Sequence, residues 1–377
     1  MSDQQVTYEK VPYAAVEGWA QDDHAAAFAA FLRSAPVVLE RVAKGVSPGA
    51  SRPPPSPELI EACLRALAIG ESATSDAQAA RAFFEDSFTP HRLIHSGPQG
   101  LVTGYYEPSI VGSRQRTDRY AVPVHARPSD LVNLIDEADR GARAGQPTHA
   151  RRAADGELVA HFTRREIDAG ALAGQGLELL YVADPIDLFF MQVQGSGLIE
   201  FEDGSAVRLT YDGKNGFNYT SIGRYLIDTG QFPSEAMTLQ ALIDWLKADS
   251  DRAREVMWQN ESYVFFRELG PASETSACGV DGIPLSAGRT LAVDTAFREI
   301  GAPVYVTAPS LTRAGPGPSH HGFRRLMIAQ DVGSAIKGPE RGDIYFGSGP
   351  EAGSRAGETM NAARFIDLRP NAANRGP

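Results

Sequence analysis

Three aspartates in the second half of the chain stand where acid–base chemistry would need them. Asp294 ends the apolar run TLAV, Asp331 ends RLMIAQ, and Asp343 opens DIYFG. Asp331 and Asp343 are 12 residues apart, with a glycine-containing stretch carrying Lys337 between them. Strand ends are rigid and the loops beyond them shape clefts, so three such aspartates can converge on one rim. The chemistry that suits them is proton transfer to the leaving oxygen of a glycosidic bond. A free aspartate has a pKa of about 4. To hold a proton at neutral pH it needs a neighbouring carboxylate or an apolar wall, and Ile344, Tyr345 and Phe346 beside Asp343 would help build one. Aspartate next to glycine is also a common turn residue for purely local reasons. On spacing alone that turn reading is the commoner one.

A second constellation is MQVQGSG at 191–197, with YDGKNG at 211–216. Read as a strand, MQVQ puts Gln192 and Gln194 on one face, beside a turn of Gly195, Ser196 and Gly197. Amide side chains both donate and accept, which suits sugar hydroxyls. A solvent-facing polar stripe explains the same pattern equally well. Tyr105 and Tyr106 in TGYYEP would stack on sugar rings, although aromatic strand residues more often belong to a core.

The elements that must position these residues change character along the chain. Residues 1–98 read as mostly helical, with alanine-rich amphipathic stretches at 23–43, 57–69 and 75–85. GVSPGASRPPPSP is a Pro-, Gly- and Ser-rich linker. From about residue 102 to 218 short strands alternate with glycine turns, and LIEFEDGSAVRLTY reads as a hairpin turning at Asp203-Gly204. Three helices follow: one from a cap at Thr220 or Ser221 to Gly230, one from Thr238, and one over roughly 250–258. From about 261 come YVFF, TLAVD, VYVTA, RLMIAQD, DIYFG and ARFIDL, six short strands that suggest a small closed barrel.

Composition excludes several classes. The 377 residues suggest two domains as a soft prior, and the hydrophobic share of 42% is that of a globular protein. A net charge of −11 argues against nucleic acid as a partner and against a basic membrane-surface helix. With two cysteines, Cys63 and Cys278, and no CxxC, a structural zinc site is not expected. Cys63 reads as a small buried hydrophobe, and a Cys63–Cys278 disulfide stays open at this stage. GVSPG at 45–49 fits G-x-S-x-G but lacks a preceding strand. His320 and His321 have no spaced partners that would make them metal ligands. GQG, GSG and GPEAG form neither a Walker loop nor a dinucleotide fingerprint. No apolar run reaches the roughly 18 residues of a membrane span. MSDQQVTYEKV has neither a basic n-region nor an apolar h-region.

Taken together, VTGYYEP, MQVQGSGLIEFEDGS, YDGKNG, YTSIGRYLIDTG, QNESYVFF, QDVGSAIKG and GDIYFGSGPEAGSRAG resemble the membrane-bound lytic murein transglycosylase A family, with its C-terminal three-aspartate (3D) domain. The resemblance covers about residues 100–357. It implies an α+β fold, mainly β with helices. Residues 1–102 would be a helical part packed on the barrel domain, 103–270 an inserted β-rich domain, and 271–377 a double-psi β-barrel, with glycan in the groove between the domains. It also implies cleavage of the β-1,4 bond from N-acetylmuramic acid to N-acetylglucosamine without water, giving a 1,6-anhydro product and needing no cofactor or metal. Asp343 matches the family's acid/base, and Asp331 and Asp294 match its supporting aspartates. Gln192, Gln194, Gly195, Ser196, Tyr105, Lys214 and Lys337 are the expected substrate-binding residues. The expected partner is peptidoglycan, in the periplasm, with outer-membrane attachment through a signal or lipid anchor missing from this chain. GPERGD makes the loop before Asp343 one residue longer than in some relatives. An inverting glycoside hydrolase with Asp331 as base, or an expansin-like non-catalytic binder, are the competing expectations.

Overall fold

Helices begin in this chain where a short polar side chain can take up free backbone N–H groups. In the computed structural model, which describes residues 6–45, 54–135, 147–271, 276–312, 322–333 and 335–372, Asp23 caps His24–Lys44, Ser56 caps Pro57–Ile69 and Asp76 caps Ala77–Ser87. All three lie close to the stretches expected from the apolar pattern. Phe28, Phe31, Phe83, Phe84 and Phe88 interlock along their faces, with the Phe28 and Phe83 rings 5.0 Å apart and edge-on. The helices share one core with Tyr305, Leu326, Ile328 and Leu368. Most of the GVSPG match and both His320 and His321 lie outside the described residues.

The chain divides into two compact units. The first comprises Met1–Gly104, Gly279–Gly347 and Thr359–Pro377. Among the described residues its sheet has nine strands in the order Thr7–Lys10, Phe88–Ile94, Arg364–Pro370, Pro303–Ala308, Phe323–Val332, Thr290–Val293, Arg341–Ser348, Leu101–Glu107, Met360–Ala362. Thr290–Val293 runs parallel to Phe323–Val332 and antiparallel to Arg341–Ser348. Two of these strands come from the region read as mostly helical. Thr7–Lys10 is four residues long and Phe88–Ile94 contains Pro90, so neither shows a clear period of two. Pairing with Arg364–Pro370 makes the second a strand. A further correction concerns YVFF. Its strand, Val264–Pro271, pairs with Ala206–Lys214 in the other unit, leaving five of the six expected strands in this sheet.

The second unit comprises Tyr105–Cys278 and Ser348–Glu358. Its six-stranded sheet has the order Val264–Pro271, Ala206–Lys214, Ser196–Phe201, Ser109–Ser113, Glu178–Val182, Val122–His125. The hairpin is formed as expected: Ser196–Phe201 pairs antiparallel with Ala206–Lys214, and Gly204 takes the left-handed φ of 83° that the turn requires. The first two helices start where their caps were placed, Ile222–Asp228 at Ser221 and Leu239–Lys247 at Thr238, and the third, Ser250–Met257, matches its expected span and is capped by Asp249. MQVQ is not a strand. It ends the helix Pro185–Gln194, which Asp184 caps and Gly195 closes at φ 83°. Short apolar runs such as IDLFFM fit either structure, and the Asp-Pro and Gly at its two ends decide for the helix. Cys63 and Cys278 are thiols rather than a disulfide, and burial pushes the Cys63 thiol up to about 12.

Candidate functional site

The three aspartates fall on neighbouring strands of the first unit. Ala292 pairs with Asp331 on one side and with Asp343 on the other. The Asp331 and Asp343 backbones are therefore two strand spacings apart, about 10 Å. A bulge sharpens the placement: the register jumps from Leu291–Ala329 to Ala292–Asp331, stepping over Gln330. The stepped-over Gln330 is fully buried, where its Nε2 donates to Ala30 O and Ser34 Oγ, each at 2.9 Å. Bulges commonly re-aim the side chain beside them, and here that side chain is Asp331.

Asp294 lies one residue past its strand and is buried. Its Oδ2 accepts from Gly338 N at 2.8 Å and its Oδ1 from Ala296 N at 3.1 Å. It thus fastens the loop between Asp331 and Asp343 to the end of the central strand. Lys337 lies in that loop, and burial lowers its ammonium below the ordinary range, with Asp294 opposing the shift. Among the described residues the buried Lys337 Nζ has no hydrogen-bond partner. Asp331 Oδ1 accepts from the N–H of Val332 at 2.8 Å.

Asp343 is half-buried, and the Thr103 hydroxyl and the Arg341 guanidinium both donate to its Oδ1. The neighbours expected for it were a carboxylate or an apolar wall. Its bonded partners are instead a hydroxyl and a cation. Ile344 and Phe346 are buried, but alternation along the strand sends them to the opposite face; of the three residues expected to wall Asp343, the buried Tyr345 alone shares its face. Thr103 and Arg341 were not singled out from the sequence. Arg341 was legible there, because two residues before Asp343 on one strand means the same face. Thr103 was not, since it lies 240 residues away and meets Asp343 only through strand pairing.

The other expected binding residues fall in the second unit. Residues two apart on a helix diverge by about 200°, so Gln192 and Gln194 do not share a face. Gln192 is buried: its Oε1 accepts from Arg164 Nη1 at 2.7 Å and its Nε2 donates to Val264 O at 3.2 Å. That corrects its expected sugar contact to an internal one. Gln194 Oε1 accepts from Tyr106 N at 3.1 Å, which brings the helix end to Tyr105 and Tyr106. Gly195 O accepts from Tyr211 N, and Ser196 is buried at the start of its strand. Lys214 is buried with Nζ donating to Phe217 O at 3.2 Å.

Similarity to known proteins follows the same division. Residues 101–267 match the family model described as the MltA specific insert domain, and residues 289–369 match the 3D domain. Membrane-bound lytic murein transglycosylase A of Vibrio cholerae is 40% identical over 270 residues, covering 71% of this chain and 65% of the relative, just under two thirds of its length. A membrane-bound lytic murein transglycosylase from Agrobacterium tumefaciens superposes with a TM-score of 0.83 at 34% identity, covering 98% of this chain and 99% of that one. Escherichia coli MltA with bound chitohexaose superposes with a TM-score of 0.67 at 29% identity, covering 98% and 96%. Two domain matches in series and a superposition spanning nearly the whole of both chains leave one assignment: the chain belongs to the membrane-bound lytic murein transglycosylase A family.

Proposed function

We propose that this protein is a peptidoglycan lytic transglycosylase, cleaving the β-1,4 bond between N-acetylmuramic acid and N-acetylglucosamine. The observation that carries this reading is Asp343, a carboxylate within two residues of the start of its strand, fixed through one oxygen, in a chain of this family. In its protonated form Asp343 gives its proton to the glycosidic oxygen as the C1–O4 bond breaks. The muramic acid C6 hydroxyl attacks C1, and its proton passes to the Asp343 carboxylate. Acid and base are the same residue, the nucleophile belongs to the substrate, and no water is consumed. Asp294 and Asp331 act through their hold on the surrounding backbone. Gln194, Gly195, Ser196, Tyr105, Lys214 and Lys337 are the chain's candidates for lining the glycan path. That a relative holds chitohexaose supports a glycan as ligand.

The same reading takes the parallel pairing of Thr290–Val293 with Phe323–Val332 as part of a double-psi β-barrel. It also places the protein in the periplasm, associated with the outer membrane, because its relatives are named membrane-bound and murein is the substrate they are named for. Among the described residues no helix is long and apolar enough to cross a membrane. The test is mass spectrometry of peptidoglycan digested by the purified protein. Anhydro-muropeptides, lighter by one water than hydrolytic products, are expected. Reducing ends throughout would mean a hydrolase, and binding without release of soluble fragments would mean a non-catalytic module.

A further inference from the structure

Asp343 is held through one oxygen only. Thr103 Oγ1 and Arg341 Nη1 both donate to Oδ1, and Arg341 Nη2 donates to Thr103 Oγ1 at 2.9 Å, so the three side chains close a ring. Among the described residues no partner reaches Oδ2. Arg341 Nη1 also donates to Gly342 O at 2.7 Å, which holds the fork against its own strand.

The residue before Arg341 explains why the ring forms. Glu340 O accepts from Leu101 N at 2.9 Å. Its carboxylate accepts from Phe365 N at 2.9 Å and lies 3.1 Å from His95 Nε2. One residue therefore fixes both the strand that carries Thr103 and the start of the strand that carries Asp343. Gly100 lets them approach: a Cβ there would come within 2.4 Å of Ala363 O and 2.8 Å of Glu340 Cβ.

We propose that Arg341 is the positioning residue for Asp343, and that its fork commits Asp343 to proton transfer through Oδ2. This rests on the transglycosylase reading above. Arginine keeps its charge throughout and cannot be the acid. With Oδ1 occupied by two donors, the proton delivered to the glycosidic oxygen sits on Oδ2. As it leaves, the negative charge formed on the carboxylate is met at once by a guanidinium already in place. The proton of the C6 hydroxyl returns to the same Oδ2. Thr103 completes the fork by passing the second guanidinium nitrogen's hydrogen bond on to Oδ1.

The test begins with the wild-type protein on isolated sacculi. Failure to release anhydro-muropeptides there would sink the transglycosylase reading itself. If the wild type turns over, Arg341→Ala is expected to lower kcat by about 10²-fold, the size of effect that misplacing a reacting group produces, with KM near wild type. Added guanidinium should restore part of the rate, and potassium chloride of equal ionic strength should not. Thr103→Val should lose rate in the same direction, and Thr103→Ser, which keeps the hydroxyl, should recover most of that loss. Wild-type kcat in Arg341→Ala, a change confined to KM, or a folded Arg341→Ala that guanidinium cannot rescue would each overturn the assignment.

Discussion

Among the described residues Asp343 in the first unit keeps one oxygen without a hydrogen-bond partner, whereas each guanidinium nitrogen of Arg164 in the second unit has an acceptor. Arg164 is buried and donates to Asn260 O at 3.0 Å, Gln192 Oε1 at 2.7 Å and Ser262 O at 2.6 Å, with its guanidinium 4.7 Å from the centre of the Phe189 ring. Burial lowers its pKa and likewise raises that of nearby Asp168. Both sites are polar, and both join distant segments through a guanidinium. One leaves valence for a visitor and the other closes on itself. A polar side chain at a strand end can stay available, while one on the inner face of a helix must be satisfied from within. The two sites should therefore respond to mutation in opposite currencies, rate in one and stability in the other.

The largest effect is expected at Asp343. Asp343→Asn keeps the shape and removes the transferable proton, so turnover should fall by 10³-fold or more, toward the upper part of the ~10²–10⁴ range for general acid–base groups. Binding to sacculi and thermal stability should stay close to wild type. A folded Asp343→Asn protein with substantial release of anhydro products would remove Asp343 from the mechanism. Arg164→Met is the counterpart. It strands Gln192 Oε1 and two carbonyls in a buried setting, and a loss of about 3–5 kcal/mol in urea unfolding is expected. Activity per folded molecule should change little. A stable Arg164→Met protein with lost kcat would place Arg164 in the chemistry and break the comparison.

Asp294 lies between these extremes, because it supports the rim through backbone contacts to Gly338 and Ala296. Asp294→Ala should cost about 1–3 kcal/mol in stability from the stranded N–H groups. It should also lower kcat by about tenfold as the loop before Asp343 loosens, a smaller misplacement than the full loss of a positioning contact. Wild-type values for both would show that the loop holds its shape without it.

How much of this was legible depends on the range of each interaction. The caps Ser221 and Thr238, the hairpin turn at Asp203-Gly204 and the placement of Asp331 and Asp343 within two residues of strand ends are local, and residues within one turn dictate them. The role proposed for Asp343 rests on the long motif around it rather than on spacing. What escaped is non-local or ambiguous in period. The pairing of Val264–Pro271 depends on a strand some 50 residues earlier. Phe88–Ile94 is a strand because Arg364–Pro370 lies beside it. MQVQ alternates polar and apolar residues as a strand would, yet the Asp184 cap and Gly195 stop make it a helix end that buries Gln192.

The smallest expected effect is one of pH on stability. In the second unit His161 is buried, with its ring edge-on to Phe162 and Phe265. Burial is the first cause that lowers its pKa, Arg151 and His149 add to it, and Asp130 with the Phe162 backbone opposes it. His125 in the same unit is lowered by burial against Glu178, and His24 in the first unit by burial together with Arg81 and Arg289. A histidine whose folded pKa lies below its unfolded value near 6.5 takes its proton first in the unfolded chain. Its contribution is intact above about pH 6.5 and is lost as pH falls toward the folded value. His161→Phe fills the same aromatic cluster without a titrating ring. Its melting temperature relative to wild type should therefore rise as pH is lowered from 7 to 5, by on the order of 2 °C. An equal difference at both pH values would assign the effect to packing alone. A decline at pH 5 would mean that the His161 ring is better protonated in the folded chain than its buried aromatic surroundings imply.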